Sequence, residues 1–337
     1  MKNALLQAAA VALFLWAPMA GAAEEQSGSL ATRLDEGRKS FAEAASQQGA
    51  GNVERAATMF AEGASRYPDM RGLFCYGLAV CYAALGRPGL GCEWLEKAVD
   101  AGYWNMTAIE KDPALAKIRK MKRYQDAHER MREMVSKARA ANPAVTRFGM
   151  KIGSTKAVML LVHADGGSAE EMLEMVSGEA AGFGIACAAI EGPILVGKHI
   201  RMWGDREDTM RRISSGAQIA IREFKGKGLP LFICGHLEGG GYVLHYLLQR
   251  PHDLQGGMAI NPSVDEYLLS MAEAGVAAPP AAIVEIGPQD KEIHNLRRRY
   301  FELLRKNNRM SRLLGAGSLQ MALGGTFRWL LAPNAGG

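Results

Sequence analysis

The sequence predicts an all-α domain followed by an α/β domain built on a mostly parallel sheet with flanking helices. Two observations carry this. From about Leu30 to Ala141 apolar residues recur at helical spacing, and the period-2 alternation of strands is missing. Beyond Asn142-Pro143, short β-branched runs alternate with helical stretches, the pattern of parallel strands joined by crossover helices. The boundary falls near residue 143, which gives domains over 24–142 and 143–337.

The length of 337 residues leaves room for two domains, each with its own core. Hydrophobic residues make up 48% and charged residues 22%, the balance of a globular protein. The net charge of +5 is mild. The densest basic runs, Lys117–Arg123 and Arg297–Arg299, sit on expected helices and read as solvated faces. No nucleic-acid reading module accompanies them, so no nucleic-acid partner is expected.

The first residues read as a targeting segment. Lys2 precedes an apolar run from Ala4 to Trp16, and small residues follow through Ala23, ahead of Glu24-Glu25. Ala20-Gly21-Ala22 and Gly21-Ala22-Ala23 both suit a signal peptidase. The apolar run is short for a membrane span of roughly 20 residues, so a cleaved signal peptide over 1–23 is expected. The mature chain would then be periplasmic or secreted and free of the membrane. Cys75, Cys81, Cys92, Cys187 and Cys234 show no CxxC pair and no metal spacing. They read as small buried residues, with a bridge from Cys92 to Cys75 or Cys81 as the alternative. No cofactor and no metal are expected.

Within the helical half, Asn52–Pro68 and Arg87–Tyr103 are two versions of one helix. Ala56, Phe60 and Pro68 mark the first, and Gly91, Leu95 and Ala98 the second. Leu78–Gly86 supplies the intervening helix. This arrangement resembles the tetratricopeptide repeat over about residues 50–103, although the Trp usual near the repeat start is absent. The resemblance implies a concave surface for a protein or peptide partner. The alternative is a brace packed on the second domain.

In the second half, strands are expected at Ala157–Val162, Ile185–Ile190, Leu231–Cys234, Gly257–Ile260, Ala281–Ile286 and Arg312–Leu314. The strand at Leu231 runs into Gly235-His236-Leu237-Glu238-Gly239-Gly240 and leaves as a helix from Gly241 to Arg250. A strand, a glycine-rich turn and a helix form a nucleophile elbow, whose glycines permit a tight turn and close helix packing. With Gln255–Pro262 matching the following strand, residues 150–332 resemble α/β-hydrolases of the dienelactone-hydrolase and phospholipase/carboxylesterase types.

That resemblance places the catalytic positions one by one. The nucleophile position is Leu237, whose alkyl side chain cannot attack a carbonyl. The acid position is Asp290, after Ile286-Gly287-Pro288-Gln289, and is retained. The base position is Ser318, where the families carry histidine. His294, the only histidine after Asp290, is expected in the opening turn of a helix and poorly placed to serve. The oxyanion hole would use the N–H of Glu238 and one from His163–Gly167, with Ala164 where glycine is usual. Such a hole alone leaves about 10³-fold catalysis.

Cys234 should pack in its strand, and Ser263 reads as a helix cap. His163, Asp165, His236 and Glu238 are expected near the carboxyl ends of the strands, where open α/β sheets bind ligands. Either they form a binding group or the histidines are hydrogen-bonded loop residues. Glu191-Gly192-Pro193 and Trp203-Gly204-Asp205 resemble the segments that shape substrate pockets in these families, with Trp203 in either a lid or the core. The reading that follows is an exported, non-catalytic hydrolase-like protein that binds a protein or small ligand. The alternative is an ester hydrolase with displaced catalytic residues.

Overall fold

The computed structural model describes residues 30–141, 145–147, 155–197, 200–224, 228–275, 279–287, 290–307 and 311–332. The expected signal peptide over 1–23, the Asn142-Pro143 junction, and Pro288 and Gln289 lie outside the described residues. Contacts divide the chain into two compact units.

The first unit holds six α-helices among the described residues: α1 (Leu30–Gly49), α2 (Val53–Arg66), α3 (Arg71–Ala84), α4 (Pro88–Asp100), α5 (Met106–Lys111) and α6 (Lys122–Ala141). The expected repeat helices are α2 and α4, with α3 between them. Small residues set their spacing. A Cβ on Gly63 would collide with the Phe74 ring, and one on Gly91 would come within 3.3 Å of the Ala79 carbonyl. Phe60, Phe74 and Leu95 fill the layer. Cys75, Cys81 and Cys92 are buried free thiols, as are Cys187 and Cys234 in the second unit.

This unit also takes in Ile194–Arg201, which comes from the middle of the second half of the sequence. There β4 (Ile194–Gly197) and β5 (Ile200–Met202) form a two-stranded sheet. β4 lies against α3, and the Trp104 N–H donates to the Val196 carbonyl at 2.9 Å. The sequence reading placed no strands here, because runs of four and three residues carry no measurable periodicity.

The second unit is a seven-stranded sheet. Its parallel strands are β2 (Ala157–Val162), β3 (Ile185–Ile190), β6 (Leu231–His236), β7 (Gly256–Ile260), β8 (Ala281–Ile286) and β9 (Arg312–Ala316). Their spatial order is β3-β2-β6-β7-β8-β9, and β1 (Val145–Arg147) adds antiparallel to β3 at one edge. Six parallel strands with flanking helices are the α/β-hydrolase-like sheet that the sequence predicts.

The strand residues are apolar throughout because both sheet faces are covered. Val158, Leu160, Ile233 and Ile283 pack on one face with α8 (Arg206–Phe224), α9 (Glu238–Gln249), α10 (Glu266–Glu273) and α11 (Lys291–Asn307). Their neighbours Met159, Leu161, Cys234 and Val284 pack on the other face with α7 (Ala169–Gly182) and α12 (Leu319–Leu331). No helix among the described residues is long and apolar enough to cross a membrane.

Candidate functional site

The β6–α9 turn is built as a nucleophile elbow. Leu237 sits at φ 50°, ψ −117°, a region that a side chain strains to occupy. Three backbone hydrogen bonds hold it there. Its N–H donates to Ile260 at 2.9 Å, and its carbonyl accepts from Gly241 at 3.0 Å and from Ser263 at 3.1 Å. Two glycines are sterically required. A Cβ on Gly235 would overlap the Gly239 carbonyl, and a Cβ on Gly239 would overlap the carbonyls of Val162 and His163. The shape of the elbow is complete, and its apex is a half-buried alkyl group.

Asp290 and Ser318 both serve as helix caps. The Asp290 carboxylate accepts the N–H groups of Glu292 at 2.8 Å and Ile293 at 3.2 Å, at the start of α11. Ser318 Oγ accepts the Met321 N–H at 3.3 Å, at the start of α12. These bonds satisfy orphan donors at the helix N-termini. His294 lies in the first turn of α11, and its Nδ1 is 2.8 Å from Glu285 Oε2.

The residues expected as a binding group divide into several roles. His163 is buried, and both ring nitrogens are occupied. Its Nε2 accepts the Gly192 N–H at 2.9 Å, which leaves the proton on Nδ1 to donate to the Ala164 carbonyl at 2.6 Å. Asp165 Oδ1 accepts the Trp203 N–H at 2.7 Å, and the Trp203 indole N–H donates to the His163 carbonyl at 2.8 Å. Burial raises the Asp165 carboxyl above its ordinary range, opposed by the Trp203 N–H. Trp203 is a core residue, its indole 2% exposed and stacked on the His163 ring at 4.8 Å. Gly192 and Trp203 flank the hairpin excursion on either side, so the His163–Asp165 loop clamps both of its stems.

Glu238 Oε2 accepts the Asp165 N–H at 3.3 Å. Tyr242, one turn along α9, meets the Trp203 ring edge-on at 6.2 Å. Burial, aided by the charges of Asp165 and Glu238, pushes the Tyr242 phenol up to about 12. Ala164 is buried, and its carbonyl accepts the Gly167 N–H at 2.9 Å in a tight turn. His236 is buried at the end of β6. Among the described residues no three His, Cys, Asp or Glu side chains gather as a metal would need. Cys234 is fully buried, and burial followed by neighbouring Cys187 drives its thiol well above the ordinary value, so it stays protonated. Ser263 is exposed, and the cap of α10 is Asp265.

Sequence reasoning missed a second polar group beside the elbow. Asn261, at φ 45°, ties β7 to β8 by accepting from the Ile286 N–H at 2.9 Å and donating to the Ile286 carbonyl at 3.2 Å. Buried Arg297 donates to the carbonyls of Asn261 at 2.8 Å and Pro262 at 2.7 Å, and meets Glu285 at 3.4 Å. The solvated face expected over Arg297–Arg299 therefore holds for Arg298 and Arg299 but not for Arg297, which is 4% exposed. A run of three arginines hides which one faces the sheet. The buried Glu285 inside an apolar strand was the available signal, because a buried carboxylate requires a partner.

No family model matches the chain, and no curated protein does. Solved structures with a similar chain path include an uncharacterized protein from Bacillus cereus ATCC 10987. It is 12% identical at a TM-score of 0.46, with 90% of this chain and 99% of that one covered. Esterase PE8 is 15% identical at a TM-score of 0.47, with 56% and 99% covered. Dienelactone hydrolase from Anabaena variabilis is 15% identical at a TM-score of 0.43, with 56% and 98% covered. Likenesses at this level say nothing about activity.

Proposed function

We propose that the chain is an exported hydrolase-fold protein that binds a ligand without turning it over, and that its helical unit offers a surface to a protein or peptide. The observation that carries the reading is Leu237 at the strained apex of a fully formed elbow. The apex is where a nucleophile would be presented, and an alkyl group offers no lone pair. The acid and base positions support the same reading, since Asp290 and Ser318 are occupied in capping α11 and α12.

The test is hydrolysis of short p-nitrophenyl esters by the purified chain. No turnover above the buffer rate is expected. Turnover that disappears in Asp290→Ala would overturn the proposal. The double variant Leu237→Ser with Ser318→His asks the complementary question, and any gain in turnover would show that the scaffold still presents an esterase geometry.

A second reading, hydrolysis by displaced residues, has one observation in its favour. The His294 side chain is 41% exposed and keeps a carboxylate, Glu285, on its Nδ1. An imidazole so oriented can act as a general base toward water. Turnover that survives Asp290→Ala and is lost in His294→Gln would favour it.

A further inference from the structure

Beside the elbow apex, the loop after β2 and the first turn of α9 face each other. The Gly167 N–H donates to the Ala164 carbonyl at 2.9 Å, and Gly166 sits at φ 77°, so Ala164–Gly167 is a tight turn that needs glycine at its third position. That turn does not use the Asp165 N–H. It points across to α9, where the Glu238 side chain accepts it through Oε2 at 3.3 Å. The two segments are pressed together at this place. A Cβ on Gly239, the next residue of α9, would lie 2.3 Å from the His163 carbonyl oxygen and 2.4 Å from that of Val162.

The N–H of the loop and the N–H of the residue after the apex are the donors from which a hydrolase-like elbow makes its oxyanion hole. A carboxylate oxygen already bonded to the loop donor stands where the carbonyl oxygen of a ligand would have to sit. Three physical terms keep it there. A negative side chain in the first turn of α9 meets the positive end of the helix dipole. Being tethered, it competes without the loss of translational freedom that a free ligand has to meet. An incoming anion would also meet the like charge of Glu238 in a half-buried place, where screening by water is incomplete.

We propose that Glu238 plugs the oxyanion hole of its own elbow and holds the Asp165 N–H against carbonyl and carboxylate ligands. The plug closes the site a second time, separately from the missing nucleophile at Leu237, and restricts its ligands to those that need no oxyanion donor. It rests on the elbow being the site of the non-catalytic reading, and its test reads a different signal from ester turnover.

The chemical shift of the Asp165 amide in the full chain, followed by NMR during titration with acetate, tests the plug. Chloride at equal ionic strength is the control. The parent amide is expected to stay in place. Glu238→Ala should give a saturable shift, with acetate bound about tenfold or more tighter than by the parent. Glu238→Gln keeps both the reach and an acceptor oxygen, so it should stay closed like the parent. Glu238→Ser, too short to reach Asp165, repeats the test in case alanine at the helix start unfolds the chain. A saturable acetate response in the parent would overturn the proposal, as would none in Glu238→Ala and Glu238→Ser. A response in Glu238→Gln equal to that in Glu238→Ala would reduce the effect to charge repulsion and overturn it as well. Ester turnover by the parent chain would instead sink the non-catalytic reading and leave the acetate titration to decide the plug.

Discussion

Trp203 and His163 are joined twice, by the indole N–H on the His163 carbonyl at 2.8 Å and by ring stacking at 4.8 Å. The imidazole in turn accepts the Gly192 N–H. His163→Ala would leave that buried N–H without its acceptor and remove one face of the stack. A loss of about 1–3 kcal/mol is expected. Hydrogen exchange checks its location, with the amides of Gly192 and Trp203 losing protection before those of β8. Unchanged protection at these two amides would show that the clamp is not what holds the hairpin stems.

Strain at the elbow makes a separate prediction. Leu237→Ala and Leu237→Gly remove nearly the same side chain, but only glycine relieves the positive φ. Strain of this kind costs about 1–3 kcal/mol, against roughly 0.5–1 kcal/mol for the added freedom of an unfolded glycine. The glycine variant should therefore be the more stable by about 1 kcal/mol in urea unfolding. An alanine variant of equal or greater stability would mean that the turn is unstrained.

His245 on α9 gives a pH dependence. It is 2% exposed, its Nε2 has no hydrogen-bond partner, and it lies 5.1 Å from the Tyr267 ring. Burial, helped by Arg206 and opposed by Asp265, lowers its pKa from 6.5 to about 4. Between those two values the unfolded chain carries a proton that the folded chain refuses. Stability from this group is therefore intact above pH 6.5 and falls as the pH drops toward about 4. Urea midpoints measured across that window should decline less steeply in His245→Leu than in the parent chain. Identical slopes would exclude the group.

The fold was legible where the physics is local. Apolar runs doubly covered by helices marked β2, β3, β6, β7 and β8, and the glycine spacing at Gly235–Gly240 marked the elbow because sterics demand it. Leu237 is the third residue of that glycine pattern, whereas Asp290 and Ser318 are assigned only through the family resemblance. The roles of His163 and Asp165 were not legible, since their partners lie 29 and 38 residues further along the chain. Burial of Arg297 was equally hidden, because helix periodicity alone does not say which of three adjacent arginines meets a carboxylate on a neighbouring strand.

The Ile194–Arg201 hairpin has a consequence for synthesis and for dissection of the chain. Helices α1 to α6 leave the ribosome first, yet the Trp104 amide must wait for Val196, which is translated after β1, β2 and β3. The helical unit is therefore finished only when part of the second unit already exists. A fragment cut near residue 143 would lack the Ile194–Arg201 hairpin that belongs to its own unit. The two halves are separate in composition and interleaved in assembly.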